Sequence, residues 1–147
     1  MIIAKNKKAY FDYAIIEKFE AGIILEGWEV KSIRAGMASL KDCFVKISDN
    51  AASLVNMHVP RWKTQSQSIQ IDEKRERKLL LNKRELEKLG QVRKNAGMTI
   101  IPLDIHTSHH KLKLLIGAAR GKKKYDKRES IKKKEFKRDL QRQGKKW

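Results

Sequence analysis

The chain has 147 residues, with 35 Lys or Arg against 17 Asp or Glu and a formal net charge of +18, a length that fits one domain with an appendage rather than two domains. Its single cysteine, Cys43, excludes an internal disulfide and fits a reducing compartment, and no apolar run approaches the ~18 residues a membrane span needs. A field of this sign draws polyanions, of which nucleic acid is the most abundant.

In chain order, the opening MIIAKNKKAY carries no long apolar run, so no signal peptide is expected and the expected location is the cytoplasm. YAIIEKF then places Tyr13, Ile15 and Phe19 at the period of two that marks a strand. EAG, Glu20 to Gly22, reads as a turn before a second short strand, IIL. GWEVKSIRAG breaks the alternation, with Trp28, Val30 and Ile33 at spacings of two and three and a glycine at each end. It predicts a short helix or turn that projects Lys31 and Arg34. DCFVKIS and ASLVNMHV form two more strands joined by hairpin chemistry at Asp49 to Ala51, and Cys43 reads there as a core residue rather than a nucleophile.

The next stretch, PRWKTQSQSIQIDEKRERKLLL, reads as a polar loop followed by an added turn of helix in DEKRERKLL. LLNKRELEKLGQVRKNAG is a clearer helix. Asn82 and Glu85 have the spacing of a capping box, Leu86, Leu89 and Val92 make one apolar stripe, and Asn95 to Gly97 supplies the stop. MTIIPLDI and KLKLLIGAA pair across HTSHH, with Pro102 marking a sheet edge or a bulge. About six strands with two or three brief helices predict a mainly β fold, a small antiparallel barrel of the oligonucleotide-binding (OB) type or its six-stranded relatives, over residues 1–119.

Residues 120–147 are different in kind. They hold fourteen Lys or Arg against four Asp or Glu, a net +10 of the total +18. From Lys122 to Gln143 there is no glycine or proline, Asp126 and Glu129 repeat the capping-box spacing, and Glu129 with Lys133 is a correctly ordered i, i+4 pair. Only Ile131, Phe136 and Leu140 are apolar between Asp126 and Gln143. Such a tail is expected to be disordered when free and helical against a polyanion, when Asp126 to Gln143 would span roughly 27 Å.

The sequence offers little for catalytic chemistry. His106, His109 and His110 lie close in sequence but match no zinc spacing. There is no phosphate-binding glycine loop, nucleophile elbow or HExxH. Glu17, Glu20, Glu26 and Glu29 offer a metal-dependent nuclease reading, yet three-residue spacing alone does not aim carboxylates at one ion. The expectation is therefore a non-enzyme with no cofactor and no metal. For binding, Lys31 and Arg34 stand on one element, while Lys83 and Arg84 lie in the first turn of the capped helix, beside its positive end. Trp28, Asn82 and His58 can stack on or hydrogen-bond to exposed bases, which suits folded or single-stranded RNA better than duplex DNA.

Four blocks, NKKAYFDY, FEAGIILEGWEVKSIRAG, RKLLLNKREL and GAARGKKKYDKRE, run in order from about Asn6 to Glu129. Together they resemble the SsrA-binding protein (small protein B) family of bacterial trans-translation. The resemblance implies a six-stranded antiparallel OB-type barrel with three helices. It also implies binding to the tRNA-like domain of transfer-messenger RNA and delivery of that RNA to stalled ribosomes, with the protein standing in for the anticodon arm of a tRNA. On the RNA side it points to Glu20 of FEAG, Leu80 and Asn82 of LLLN, and Lys113 in the final strand; Gly22, two residues after Glu20, and the helix-turn cations Lys83 and Arg84 complete the expected RNA-binding set. Trp28, Glu29, Lys31 and Arg34 of the GWEVKSIRAG block are placed at or near that surface.

On the ribosome side the resemblance implies that the tail enters the empty mRNA channel beyond the small-subunit decoding centre. Arg120, Lys122, Lys123, Tyr125, Asp126, Lys127 and Arg128 form the hinge into it, and Ile131, Lys132, Lys133 and Lys134 continue it. Arg120 stands where a lysine is common, which keeps the charge. Alanyl-tRNA synthetase and elongation factor Tu are expected to act on the same RNA, with the protein a monomer. The competing class is a structural ribosomal protein with an RNA-threading extension.

Overall fold

The computed structural model describes residues 1–48, 50–62 and 71–122, together with residues 134 and 138. A short strand, β1 (Ile2–Lys5), leads into helix α1 (Lys7–Asp12), whose first turn is capped by Asn6, its side-chain oxygen accepting from the Ala9 amide at 3.3 Å. The chain continues through β2 (Tyr13–Ile23), α2 (Gly27–Arg34), β3 (Phe44–Ser48), β4 (Ala51–Val55), β5 (Arg77–Leu80), α3 (Lys83–Lys94), β6 (Met98–Ser108) and β7 (Lys111–Gly121). All seven strands belong to one antiparallel sheet in the order β1-β6-β7-β2-β5-β4-β3.

The expected mainly β fold with three helices is present, with a different strand inventory. EAG is no turn: β2 runs through Glu20 to Gly22 without a break, so the two short strands expected there are one of eleven residues. The DEKRERKLL stretch gives a strand, β5, instead of a turn of helix, and β1 and α1 are additional. Local pattern is weak for β5 because Arg77, a charged residue, takes an inward position.

The sheet curls into an OB-like half-closed barrel. Its end strand β3 packs near β6, but among the described residues no ladder joins them. The seam holds a cavity of about 280 Å³ lined in part by Phe44, Ile47, Arg93, Met98 and Ile100. α3 leans over this seam, with Leu89 buried and the Arg93 guanidinium donating to the Ile47 carbonyl oxygen. The helix obeys its predicted code. Asn82 Oδ1 accepts from the Glu85 amide at 2.8 Å and Glu85 Oε1 accepts from the Asn82 amide at 3.2 Å, while Leu86 and Val92 pack half-buried on the core.

Beside a register shift at Ile3 of β1, two bulges in the long strands set which side chains go where. Ile15 faces Ala119 but Glu17 faces Ala118, so Ile16 is the extra residue in β2; Pro102 faces Ile116 but Asp104 faces Leu115, so Leu103 is the extra residue in β6. The first bulge divides the face expected for Tyr13, Ile15 and Phe19. Phe19 enters the main core with Ile33, Leu54, Leu114 and Ile116, while Tyr13 and Ile15 pack on a second cluster of Ala9, Ile101, Leu103 and Ala119 beneath α1. The middle of the sheet is thus covered on both faces, which accounts for the near-continuous apolar runs of β6 and β7. Gly117 lies under the second cluster, where a Cβ would stand 3.0 Å from Leu103 Cδ1 and 3.2 Å from Ile15 Cγ2. Pro102 marks a bulge and not a sheet edge, since β6 has β1 on one side and β7 on the other.

Candidate nucleic-acid interface

Register and burial together define an outer face at one end of the sheet. In β7, Leu112, Leu114 and Ile116 point into the main core, so Lys113 and Leu115 point outward. Reading across the ladders gives one outward row of Leu80, Gly22, Lys113, His106 and Ile2, and a second on the same face of Glu20, Leu115, Asp104 and Lys5, in which Leu115 packs half-buried on the second cluster and Asp104 is buried. Leu80 is 55% exposed and Ile2 54% exposed, unusual for residues of their size within a sheet.

Four of the residues singled out from sequence meet in this patch: Glu20 and Gly22 of β2, Leu80 of β5 and Lys113 of β7. Asn82 follows two residues after Leu80 as the N-cap of α3, with Lys83 and Arg84 exposed in the turn it caps. The cap uses the Asn82 side-chain oxygen, which leaves its amide nitrogen as the group to offer a base. Gly22 serves Leu80: a Cβ there would lie 3.1 Å from Leu80 Cβ, so the bare backbone lets the leucine lie across β2.

Glu20 is held at its position by a histidine. His106 Nε2 lies 3.4 Å from Glu20 Oε1, and its Nδ1 is 2.8 Å from Asp104 Oδ1. His106 is thus part of the face and not of a polar turn. The turn is His109–His110, both at positive φ (51° and 65°), as a tight two-residue hairpin demands. Arg34 is exposed and its Nη2 donates to the His110 carbonyl at 2.8 Å, which ties the end of α2 to this same end of the sheet; Lys31 is exposed one turn earlier.

Trp28 and Glu29 are the correction. Trp28 is 8% exposed, its Nε1 donating to Glu26 Oε2 at 2.6 Å, and Glu29 is fully buried. Neither side chain is presented on the surface. Glu29 Oε2 accepts from Arg77 Nε at 2.5 Å, Oε1 pairs with Arg75 Nη2, and Arg77 Nη1 donates onward to the Met57 carbonyl at 2.6 Å. Burial pushes the Glu29 carboxyl up, but the Glu26 amide and the two guanidiniums outweigh it and hold the carboxyl below its ordinary value. This network pins α2 against β5 and so fixes the strand that carries Leu80. Cys43, also buried, has its thiol pushed up to about 12 by loss of solvent, in keeping with a core role.

At the far end of the sheet, Arg120 is exposed near the close of β7, and the Lys122 amide donates to the Asp12 carbonyl at 2.9 Å. Lys113 and Gly121 are separated by eight residues of strand, about 26 Å. Lys134 is exposed. Lys123, Tyr125, Asp126, Lys127, Arg128, Ile131, Lys132 and Lys133 lie outside the described residues, as does the capping spacing of the tail. No group of three or more metal-ligating side chains occurs among the described residues, and no helix among them is long and apolar enough to cross a membrane.

Lys5, Tyr10, Lys18, Asp104 and His106 also stand on or beside this face, and the sequence pattern predicts none of them there. Lys18 was within reach, because it shares the outward parity of Glu20 and Gly22 along β2. Lys5 and Tyr10 gave no signal, since β1 and α1 were not expected.

An OB-like sheet that gathers exposed cations, an uncovered leucine and a side-chain amide at one end defines a small barrel of the nucleic-acid-binding class. The family model described as SmpB protein matches residues 3–146, and the chain belongs to that family. Similar curated proteins are the SsrA-binding protein of Thiobacillus denitrificans, 49% identical over 97% of this chain and 95% of its own, and that of Fusobacterium nucleatum, 50% identical over 99% and 97%. A solved structure described as "tmRNA-SmpB: a journey to the center of the bacterial ribosome" aligns with a TM-score of 0.68 at 38% identity, covering 86% of this chain and 92% of that one.

Proposed function

We propose that this protein is an RNA-binding adaptor of ribosome rescue: it binds the tRNA-like domain of transfer-messenger RNA and delivers that RNA to stalled ribosomes for trans-translation. The observation that carries the reading is convergence. Glu20, Gly22, Leu80, Asn82 and Lys113 come from three strands and a helix cap and share one face, in a chain whose relatives are SsrA-binding proteins. Lys113, Lys83 and Arg84 supply charge for phosphates, while Leu80, Asn82 and Glu20 supply surface and polarity for unstacked bases. Lys31 and Arg34 border the patch.

The basic stretch from residue 120 onward is the second working part. It leaves the barrel at the end opposite the RNA face, as a bridge between two partners requires, and Arg120, Lys122, Lys123, Tyr125, Asp126, Lys127, Arg128, Ile131 and Lys132 to Lys134 face the ribosome in this reading. The protein acts in the cytoplasm as a monomer without catalysis of its own, and alanyl-tRNA synthetase and elongation factor Tu act on the RNA it carries.

Sequencing the RNA that co-purifies with the intact protein tests this. One dominant small RNA with a tRNA-like end is expected, and the E20Q/N82A variant should lose it while keeping its melting temperature to within the cost of one helix cap. Stoichiometric retention on salt-washed ribosomal subunits, with no such RNA, would instead identify a structural ribosomal protein.

A further inference from the structure

Beside the face just described, two lysines meet over one aromatic ring. Lys5 Nζ lies 5.0 Å and Lys18 Nζ 5.6 Å from the centroid of Tyr10. The lysines come from β1 and β2, which are separated in the sheet by β6 and β7, so only the tertiary fold brings them together. Both are exposed, and among the described residues neither forms a salt bridge with a carboxylate. The Tyr10 ring is half-buried on the cluster of Ala9, Ile101, Leu103 and Ala119, which fixes it in place. Asp104, opposite Lys5 in the ladder, turns its carboxylate to His106 at 2.8 Å.

Two ammonium groups on one ring repel each other, and the ring's π density offsets that repulsion only in part. An anion between them removes it. Lys18 stands two residues from Glu20 on the same outward face of β2, about 7 Å along the strand, and Lys5 closes the row that Glu20 begins. We propose that Lys5, Tyr10 and Lys18 form a second phosphate seat, which takes a phosphodiester of the same RNA that lies on Glu20, Asn82 and Lys113. The inference rests on the reading of that face given above. The seat reads backbone and not bases, so it adds affinity and register but no sequence preference.

The test is the salt dependence of binding to the isolated tRNA-like RNA, with the full chain in every case. Losing the one phosphate this seat neutralises flattens the slope of log K against log salt by roughly 1. K5A/K18A should show that flattening and a several-fold loss of affinity at moderate salt. Y10F should match wild type, because the ring remains, and Y10L should fall between the two. As a control of equal charge, K46A/K94A removes two exposed lysines, one on β3 at the opposite edge of the sheet and one at the end of α3 beside it, and should leave the slope nearly unchanged.

A wild-type slope for K5A/K18A overturns the proposal, and so does an equal flattening in K46A/K94A, which would mean diffuse charge only. A Y10L slope equal to wild type removes the ring from the seat. A defect seen on ribosomes but not with free RNA assigns the lysines to ribosomal RNA, which also overturns it. E20Q/N82A in the same assay reports on the underlying face separately: loss of binding there with no effect of K5A/K18A retains the face and rejects the seat, and full binding rejects the face itself.

Discussion

Glu29 carries a charge into the interior of the protein, and its worth depends on both arginines staying with it. Arg77 is itself fully buried, so removing the carboxylate strands a cation with only carbonyl oxygens for company. Breaking a buried pair from one side costs about 3–5 kcal/mol, and E29Q should lower the stability measured by denaturant titration by that order. The pH dependence has a definite sign. Because the folded Glu29 carboxyl titrates below its ordinary 4.5, its contribution is complete above that value and is lost as pH falls through the lower folded value. The stability difference between wild type and E29Q should therefore be constant from pH 7 to about 5 and shrink toward pH 3; a difference that grew on acidification would contradict the assignment. The sequence singled out Glu29 by motif alone and placed it beside RNA. Its actual partners lie 46 and 48 residues away, a separation at which no local pattern operates.

Among the elements, α3 is the one whose sequence and structure agree most closely, because every signal that defines it is local. Cap, stripe and stop all lie within one run of eighteen residues. In the proposed function its N-cap has a second duty, on RNA, beside the cap, and substitutions separate the two. N82A should cost about 1 kcal/mol of stability through the lost cap and also weaken RNA binding. N82D keeps an oxygen for the Glu85 amide, so its melting temperature should stay near wild type, yet it replaces an amide donor with an anion facing phosphates. Its affinity for the tRNA-like RNA should fall roughly tenfold or more, the scale of one lost hydrogen bond with added repulsion. Equal affinity in N82D and wild type would leave Asn82 a cap only. The strands were less legible. A period of two is blind to an inserted residue, so the bulge at Ile16 moved Tyr13 and Ile15 away from Phe19 although all three share parity. β5 escaped because its inward residues are Arg77 and Leu79, an alternation no hydrophobic pattern reveals.

For the whole molecule, the main point is distance between two basic regions. The proposed RNA face occupies one end of the long β2–β7 ladder and residues 120–122 lie at the other, where the Lys122 amide is tied to Asp12. Both apolar clusters lie within residues 3–119. Ending the chain before Asp126 should then leave the melting temperature unchanged and affinity for the tRNA-like RNA within several-fold, while peptide tagging on stalled ribosomes is abolished; collapse of RNA binding in that variant would refute a two-part division. By itself the sequence determined the basic character, the mainly β class, the capped helix, both hairpins and the family, since these follow from composition, short-range spacing and motif order. The tertiary structure alone decided that FEAG, LLLN and the final strand share a face, that Trp28 and Glu29 turn inward, and that Lys5 and Lys18 meet over Tyr10. Each of those facts depends on strand order and register between residues far apart in the chain, and register is settled by how the two cores pack, not by any one segment's preference.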